Sequence, residues 1–198
     1  MAADYALLAK NLRDFYDFAD KVVLLIGAGH GQLLDPEIHL RKLIAVDQDL
    51  AALKEFEKRI AGGPRQNAVE LVHGKFEDVS SRSDIVYFEF CLHEMTDPFP
   101  ALKRARTLAP DAVVFDHSPA SKWVFYGAEE AIVRRSSLAM KNFGIRRCRS
   151  FTTVQRFADY SELFSKVSPQ GPLAIQRIRR YRGGTNIVIP MVCDLVLL

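Results

Sequence analysis

The five residues Val22–Ile26 are all apolar, and they run straight into Gly27-Ala28-Gly29-His30-Gly31. A short run that is apolar at every position suits a strand covered on both faces. Glycines directly after it let the backbone turn tightly and let a ligand approach main-chain atoms. Together these features point to a parallel α/β architecture, in which ligands bind at the carboxyl ends of the strands.

The remaining pattern alternates helix and strand, as a mostly parallel sheet requires. Tyr5, Leu8, Leu12, Phe15, Tyr16 and Ala19 fall at helical spacing and predict a helix over 3–19. A short helical turn should follow the glycines, with Asp35 and Pro36 as cap and first helical residue. Strands are expected over 43–46, 69–72, 84–88 and 112–115, with helices over 49–60, 97–108, 121–142 and 158–167. Two last strands, 173–181 and 186–197, flank Arg182-Gly183-Gly184-Thr185, which reads as a hairpin turn. The expected fold is a single domain over 1–198: a doubly wound, seven-stranded, mostly parallel α/β sheet with a C-terminal antiparallel hairpin.

Composition excludes several classes. Apolar residues make up 48% and charged residues 26%, ordinary for a folded soluble domain. The first residues carry acids and no apolar core, unlike a signal peptide. No apolar run reaches the ~18 residues of a membrane span. Cys91, Cys148 and Cys193 form no CxxC pair, and their odd number argues for a reducing, cytoplasmic setting. The five histidines are scattered, so no metal site is expected. The net charge of +3 is uneven: residues 134–182 hold twelve Lys/Arg against two acids, a local +10. Arg134, Arg135, Arg146, Arg147, Arg149 and Arg156 read as a solvated face. An anionic substrate clamped by bidentate pairing, or RNA, is the sharper alternative.

Further polar residues fall at strand ends. Asp47 lies 20 positions beyond Gly27, where a carboxylate can accept both hydroxyls of a ribose. His73-Gly74 precedes Glu77 and Asp78, and Glu89 precedes Leu92-His93-Glu94-Met95-Thr96-Asp97-Pro98. In this combination the chain resembles the class I S-adenosylmethionine-dependent methyltransferases, of the small-molecule type that includes the quinone-biosynthesis enzymes. The resemblance covers residues 20–116. It implies S-adenosylmethionine as cofactor and S-adenosylhomocysteine as product. It also implies a cofactor set of Gly27, Ala28, Gly29, Gly31, Asp47, Gln48, Lys75, Phe76, Glu77 and Glu89. The chain departs from the family's pattern at Leu25 and Lys75, where the family often has acids, and at Pro36. Residues 117–170 match nothing recognised, and there the family usually builds its substrate pocket. The implied partner is a small molecule, anionic or aromatic, rather than a nucleic acid.

Three residues are candidates for catalysis: Glu89, as a base or as a structural acceptor; His93, which in the family is commonly architectural; and His117, whose ordinary pKa suits proton transfer near neutrality. Trp123, Phe125 and Tyr126 either line an aromatic pocket or fill the core. A dinucleotide oxidoreductase is disfavoured, because the glycines read G-x-G-x-G rather than G-x-G-x-x-G. An RNA methyltransferase, or a related fold kept as an inactive binding subunit, stays open.

Overall fold

The computed structural model describes residues 2–3, 5–28, 38–63 and 66–198. Gly29, His30, Gly31, Asp35 and Pro36, all singled out in the sequence, lie outside the described residues, as does Pro64.

The strands are β1 (Ala2–Ala3), β2 (Val22–Ile26), β3 (Lys42–Asp47), β4 (Val69–His73), β5 (Ile85–Glu89), β6 (Asp111–His117), β7 (Arg147–Asp159) and β8 (Thr185–Leu197). The helices are α1 (Tyr5–Phe15), α2 (Leu50–Ile60), α3 (Pro98–Leu108), α4 (Lys122–Gly127), α5 (Glu130–Phe143), α6 (Tyr160–Val167) and α7 (Pro172–Ile178). The sheet order is β1-β7-β8-β6-β5-β2-β3-β4. β2 to β6 are parallel, while β8 runs antiparallel to both β6 and β7. Apart from the two-residue edge β1, this is the expected seven-stranded, mostly parallel sheet ending in an antiparallel pair. Strand order reverses between β2 and β5, which opens a crevice at their carboxyl ends.

Alternate residues of the central strands feed two cores. Val23, Leu25, Leu43, Ala45, Ile85 and Tyr87 pack under α1, α2, α4, α6 and α7. Leu24, Ile26, Ile44, Val46, Val86 and Phe88 pack under α3 and α5. Leu25 is fully buried, so a carboxylate in its place would need a partner inside the apolar core. Local chemistry sets the helix starts. Asp97 accepts the Phe99 N–H at 3.2 Å, with Pro98 in the first turn of α3. Asp159 accepts the Glu162 N–H at 2.9 Å while Glu162 accepts the Ala158 N–H at 2.7 Å, a reciprocal cap at the start of α6.

Two expectations are corrected. Residues 173–181 are not a strand. Pro172 opens α7, and Ala174 and Ile178, four apart, bury one helical face. The partner of β8 is β7, 147–159, so a helical segment rather than the Gly183-Gly184 turn alone joins the antiparallel pair. The expected long helix over 121–142 is two helices, broken where Ala128 adopts φ +59°. Residues 117–170 therefore contribute a sheet strand as well as helices.

Candidate active site

The first chamber lies at the carboxyl ends of β2, β3 and β4 and has a volume of about 300 Å³. Gly27 forms its floor with φ +70°, a conformation that side chains disfavour. A Cβ there would sit 2.5 Å from the Cβ of Cys91, so glycine is needed for the close approach of the two loops. The Cys91 thiol donates to the Ile26 carbonyl at 3.0 Å and so ties these loops together. Asp47 ends β3, and its Oδ1 accepts the Asp49 N–H at 2.8 Å. The Gly74 N–H reaches the Asp47 carbonyl at 3.0 Å, which aligns the ends of β3 and β4. Gln48, Lys75, Phe76 and Glu77 complete one wall, and Cys91, Glu94, Met95 and Thr96 the other. Phe76 is itself buried, edge-on to Phe88 at 5.4 Å, and Arg104 Nε donates to its carbonyl at 3.3 Å. That support fixes the segment after β4 against α3.

The second chamber, about 200 Å³, lies on the far side of the Leu92–Glu94 turn, and Glu94 borders both spaces. Its walls come from α1 (Tyr5, Leu8), from Trp123 on α4, and from Phe90, His93, His117, Gln155 and Met191. Phe90 holds φ +49°, a strained value for a bulky residue, and its ring packs 4.7 Å from Phe115 and 5.0 Å from His117.

Asp116 organises this chamber from β6. Its Oδ1 lies 2.5 Å from His93 Nδ1, its Oδ2 accepts the His93 N–H at 3.1 Å, and Oδ1 also accepts the His117 N–H at 2.8 Å. Nδ1 must donate to the carboxylate, which makes Nε2 the basic nitrogen of a side chain that lines the chamber. Burial opposes a charge on His93, but the hydrogen bond and charge of Asp116 outweigh it and raise its pKa. His117, with its ring centroid 5.5 Å from that of His93, is driven down to about 4 by burial, so it stays neutral at physiological pH. Two neighbouring imidazoles thus have their pKa values pushed apart.

The structure brings together Gly27, Asp47, Gln48, Lys75, Phe76 and Glu77 in the first chamber, and His93 and His117 in the second. Ala28 is buried in the core beneath α1 rather than lining the first chamber. Glu89 lines neither. It lies under α1 in a small cavity with Tyr87, Leu12 and Ile38, and burial raises its pKa to about 8. Trp123 lines the second chamber, Tyr126 is buried with its hydroxyl 3.0 Å from that of Tyr181, and Phe125 is exposed. Sequence reasoning missed Glu129, Gln155, Lys166, Gln170 and Met191, all at the second chamber. The available signal was Thr153 and Gln155, polar residues at alternate, buried positions of one strand.

Several arginines of the basic stretch serve the fold. Arg146 pairs with Asp111 at 2.6 Å, Arg177 with Glu130 at 2.7 Å, and Arg135 donates to the Met95 carbonyl at 2.8 Å. Among the described residues, no helix is long and apolar enough to cross a membrane, and no cluster of three or more His, Cys, Asp or Glu could hold a metal.

No family model matches the chain, and no curated protein does. Solved structures do. A Bacillus halodurans protein assigned as a methyltransferase superposes with a TM-score of 0.66 at 17% identity, over 98% of this chain and 97% of its own. A Pyrococcus horikoshii protein assigned as an RNA methyltransferase gives 0.60 at 14% identity, over 98% and 80%. Magnesium protoporphyrin IX methyltransferase from Synechocystis, solved with bound S-adenosylmethionine, gives 0.54 at 12% identity, over 97% and 77%. The chain has the fold of the class I S-adenosylmethionine-dependent methyltransferases.

Proposed function

We propose that the chain transfers the methyl group of S-adenosylmethionine to a small-molecule nucleophile. The observation that carries this reading is the pair of chambers meeting at one turn, Leu92–Glu94, at the point where strand order reverses. The first chamber suits the cofactor. Gly27 lets the loop after β2 lie against Cys91 at its edge, the Asp47 carboxylate is an acceptor suited to ribose hydroxyls, and the apolar Ile26 and Met95 offer surface to the rest. When bound, S-adenosylmethionine supplies a sulfonium methyl: the acceptor's lone pair forms the new bond to carbon as the carbon–sulfur bond breaks, leaving its electron pair on sulfur.

The protein's part is to position the acceptor, exclude water and move one proton. His93, held by Asp116, accepts the acceptor's proton at Nε2. Trp123, from the 117–170 stretch, and Tyr5 enclose the acceptor. The enclosed volume and the structural use of Arg135, Arg146 and Arg177 favour a small molecule over RNA. Calorimetric titration with S-adenosylmethionine and, separately, NAD tests the reading. Binding of the first alone is expected; binding of NAD alone overturns it, and binding of neither points to an inactive binding subunit.

A further inference from the structure

The second chamber has an unusual polar inventory. Buried in its wall, Gln155 Oε1, Glu129 Oε2 and His117 Nδ1 have no hydrogen-bond partner among the described residues. The other ends of the Gln155 and Glu129 side chains are committed, and the His117 ring is packed in place. Gln155 Nε2 lies 3.6 Å from the sulfur of Met191 and Glu129 Oε1 accepts from Gln170 at 2.6 Å, while the His117 ring is held against Phe90 at 5.0 Å between centroids. Gln155 is 7% exposed and sits on a sheet strand, so it cannot swing out to water. Left unfilled, each buried polar atom costs stability, so such a set calls for a ligand that satisfies it.

The two oxygens are acceptors, His117 Nδ1 can accept as well, and His93 Nε2 adds a fourth acceptor. Lys166 offsets only one of the two carboxylates at the chamber, Glu94 and Glu129, but an ammonium has no lone pair to take a methyl group, which leaves a neutral hydroxyl compound as the matching donor. Resting on the methyl-transfer reading above, we infer that the second chamber recognises a neutral polyhydroxy acceptor through the hydrogen bonds it donates, and so distinguishes it from its methyl ethers. Methylation removes the O–H that the chamber reads. A site built to bond a hydroxyl rejects the analogue lacking it far more strongly than an apolar pocket does, because its own polar atoms are then stranded. Substrate is held and product is released by the same groups.

Calorimetry with catechol, its monomethyl ether guaiacol and its dimethyl ether veratrole tests this on the chain loaded with S-adenosylhomocysteine. Affinity should fall in that order, by about tenfold or more from catechol to veratrole. Gln155→Leu, close in volume, should shrink the difference to under about threefold by weakening catechol alone. Glu129→Gln, which keeps the shape, should also narrow it, and serves if the first variant does not fold. Equal affinities, no catechol binding, tighter binding of benzylamine, or a preference undiminished in both variants overturns the inference. Failure of S-adenosylhomocysteine itself to bind overturns the methyl-transfer reading instead, and the catechol–veratrole comparison on the unloaded chain then still judges the chamber.

Discussion

Glu89→Gln should stabilise this protein, by an amount that depends on pH. Glu89 ends β5 with its Oε2 buried and without a hydrogen-bond partner among the described residues. Burial raises its pKa from 4.5 to about 8, with Arg59 pulling weakly the other way. Below pH 4.5 the carboxyl is protonated whether the chain is folded or not, and its titration contributes nothing to stability. As pH rises from 4.5 towards 8, the unfolded chain releases the proton and the folded chain keeps it. Folding becomes less favourable across that window, and the loss levels off above 8. One pKa unit corresponds to about 1.4 kcal/mol, so the cost is about 3 kcal/mol at pH 7.

Glutamine has the same shape and does not titrate. Urea unfolding of the wild type and the variant at pH 4.5, 6, 7 and 8.5 would read the difference directly. The two should nearly coincide at pH 4.5 and separate progressively, with the variant about 3 kcal/mol more stable at pH 7. For a chain of this length that is a rise in Tm of roughly 6–12 °C. A gap that stays constant with pH, or a variant less stable at pH 7, would refute the reasoning, since Glu89 would then be charged and paired in the folded state.

Three other outcomes are expected. Asp47→Ala should weaken S-adenosylmethionine binding by about 1–3 kcal/mol in calorimetry, because a charged acceptor for the ribose is lost; unchanged affinity would remove Asp47 from the site. Gly27→Ala should lower the urea midpoint by the equivalent of roughly 1–3 kcal/mol, since its Cβ would press on Cys91 at a positive φ. Asp116→Asn should lower the pKa of His93, followed by NMR titration of its ring. In the wild type that raised pKa stabilises the fold below pH 6.5 and loses its effect as pH climbs through the folded value, a dependence the variant should lack.

Where the sequence was legible, one physical effect dominated. Val22–Ile26 and Ile85–Glu89 are buried on both faces, so nearly every residue is apolar and the strands announce themselves. Asp97-Pro98 and Asp159 mark helix starts through chemistry confined to a few residues. The first chamber was readable for the same reason: its floor and walls come from short segments directly after strands. Legibility failed at β7 and α7. In β7 the inward positions include Thr153 and Gln155, so the apolar–polar alternation that defines a half-buried strand is broken. In 173–181 the following Gly183-Gly184 pair suggested one arm of a hairpin, whereas Ala174 and Ile178, four apart, are the buried pair of a helix.

The failure at β7 and the polar wall of the second chamber have one origin. A strand built only to pack would place apolar residues at 153 and 155, and its pattern would have been plain. Gln155 instead keeps an unpaired acceptor in the sheet's interior, at a cost that the fold must offset elsewhere. Local rules are broken in native proteins chiefly at functional sites, because function is what retains an unfavourable group. Phe90 at φ +49° and the unpaired Nδ1 of His117 break local rules at the same chamber. These strained and unpaired groups share one space beside the Asp116–His93 pair, the space to which the proposed function assigns the acceptor. Replacing the unpaired Gln155 oxygen with an apolar residue of similar volume, as in Gln155→Leu, should therefore raise stability while it removes the chamber's preference for a hydroxyl. Stability and recognition moving in opposite directions would separate a binding group from a packing one.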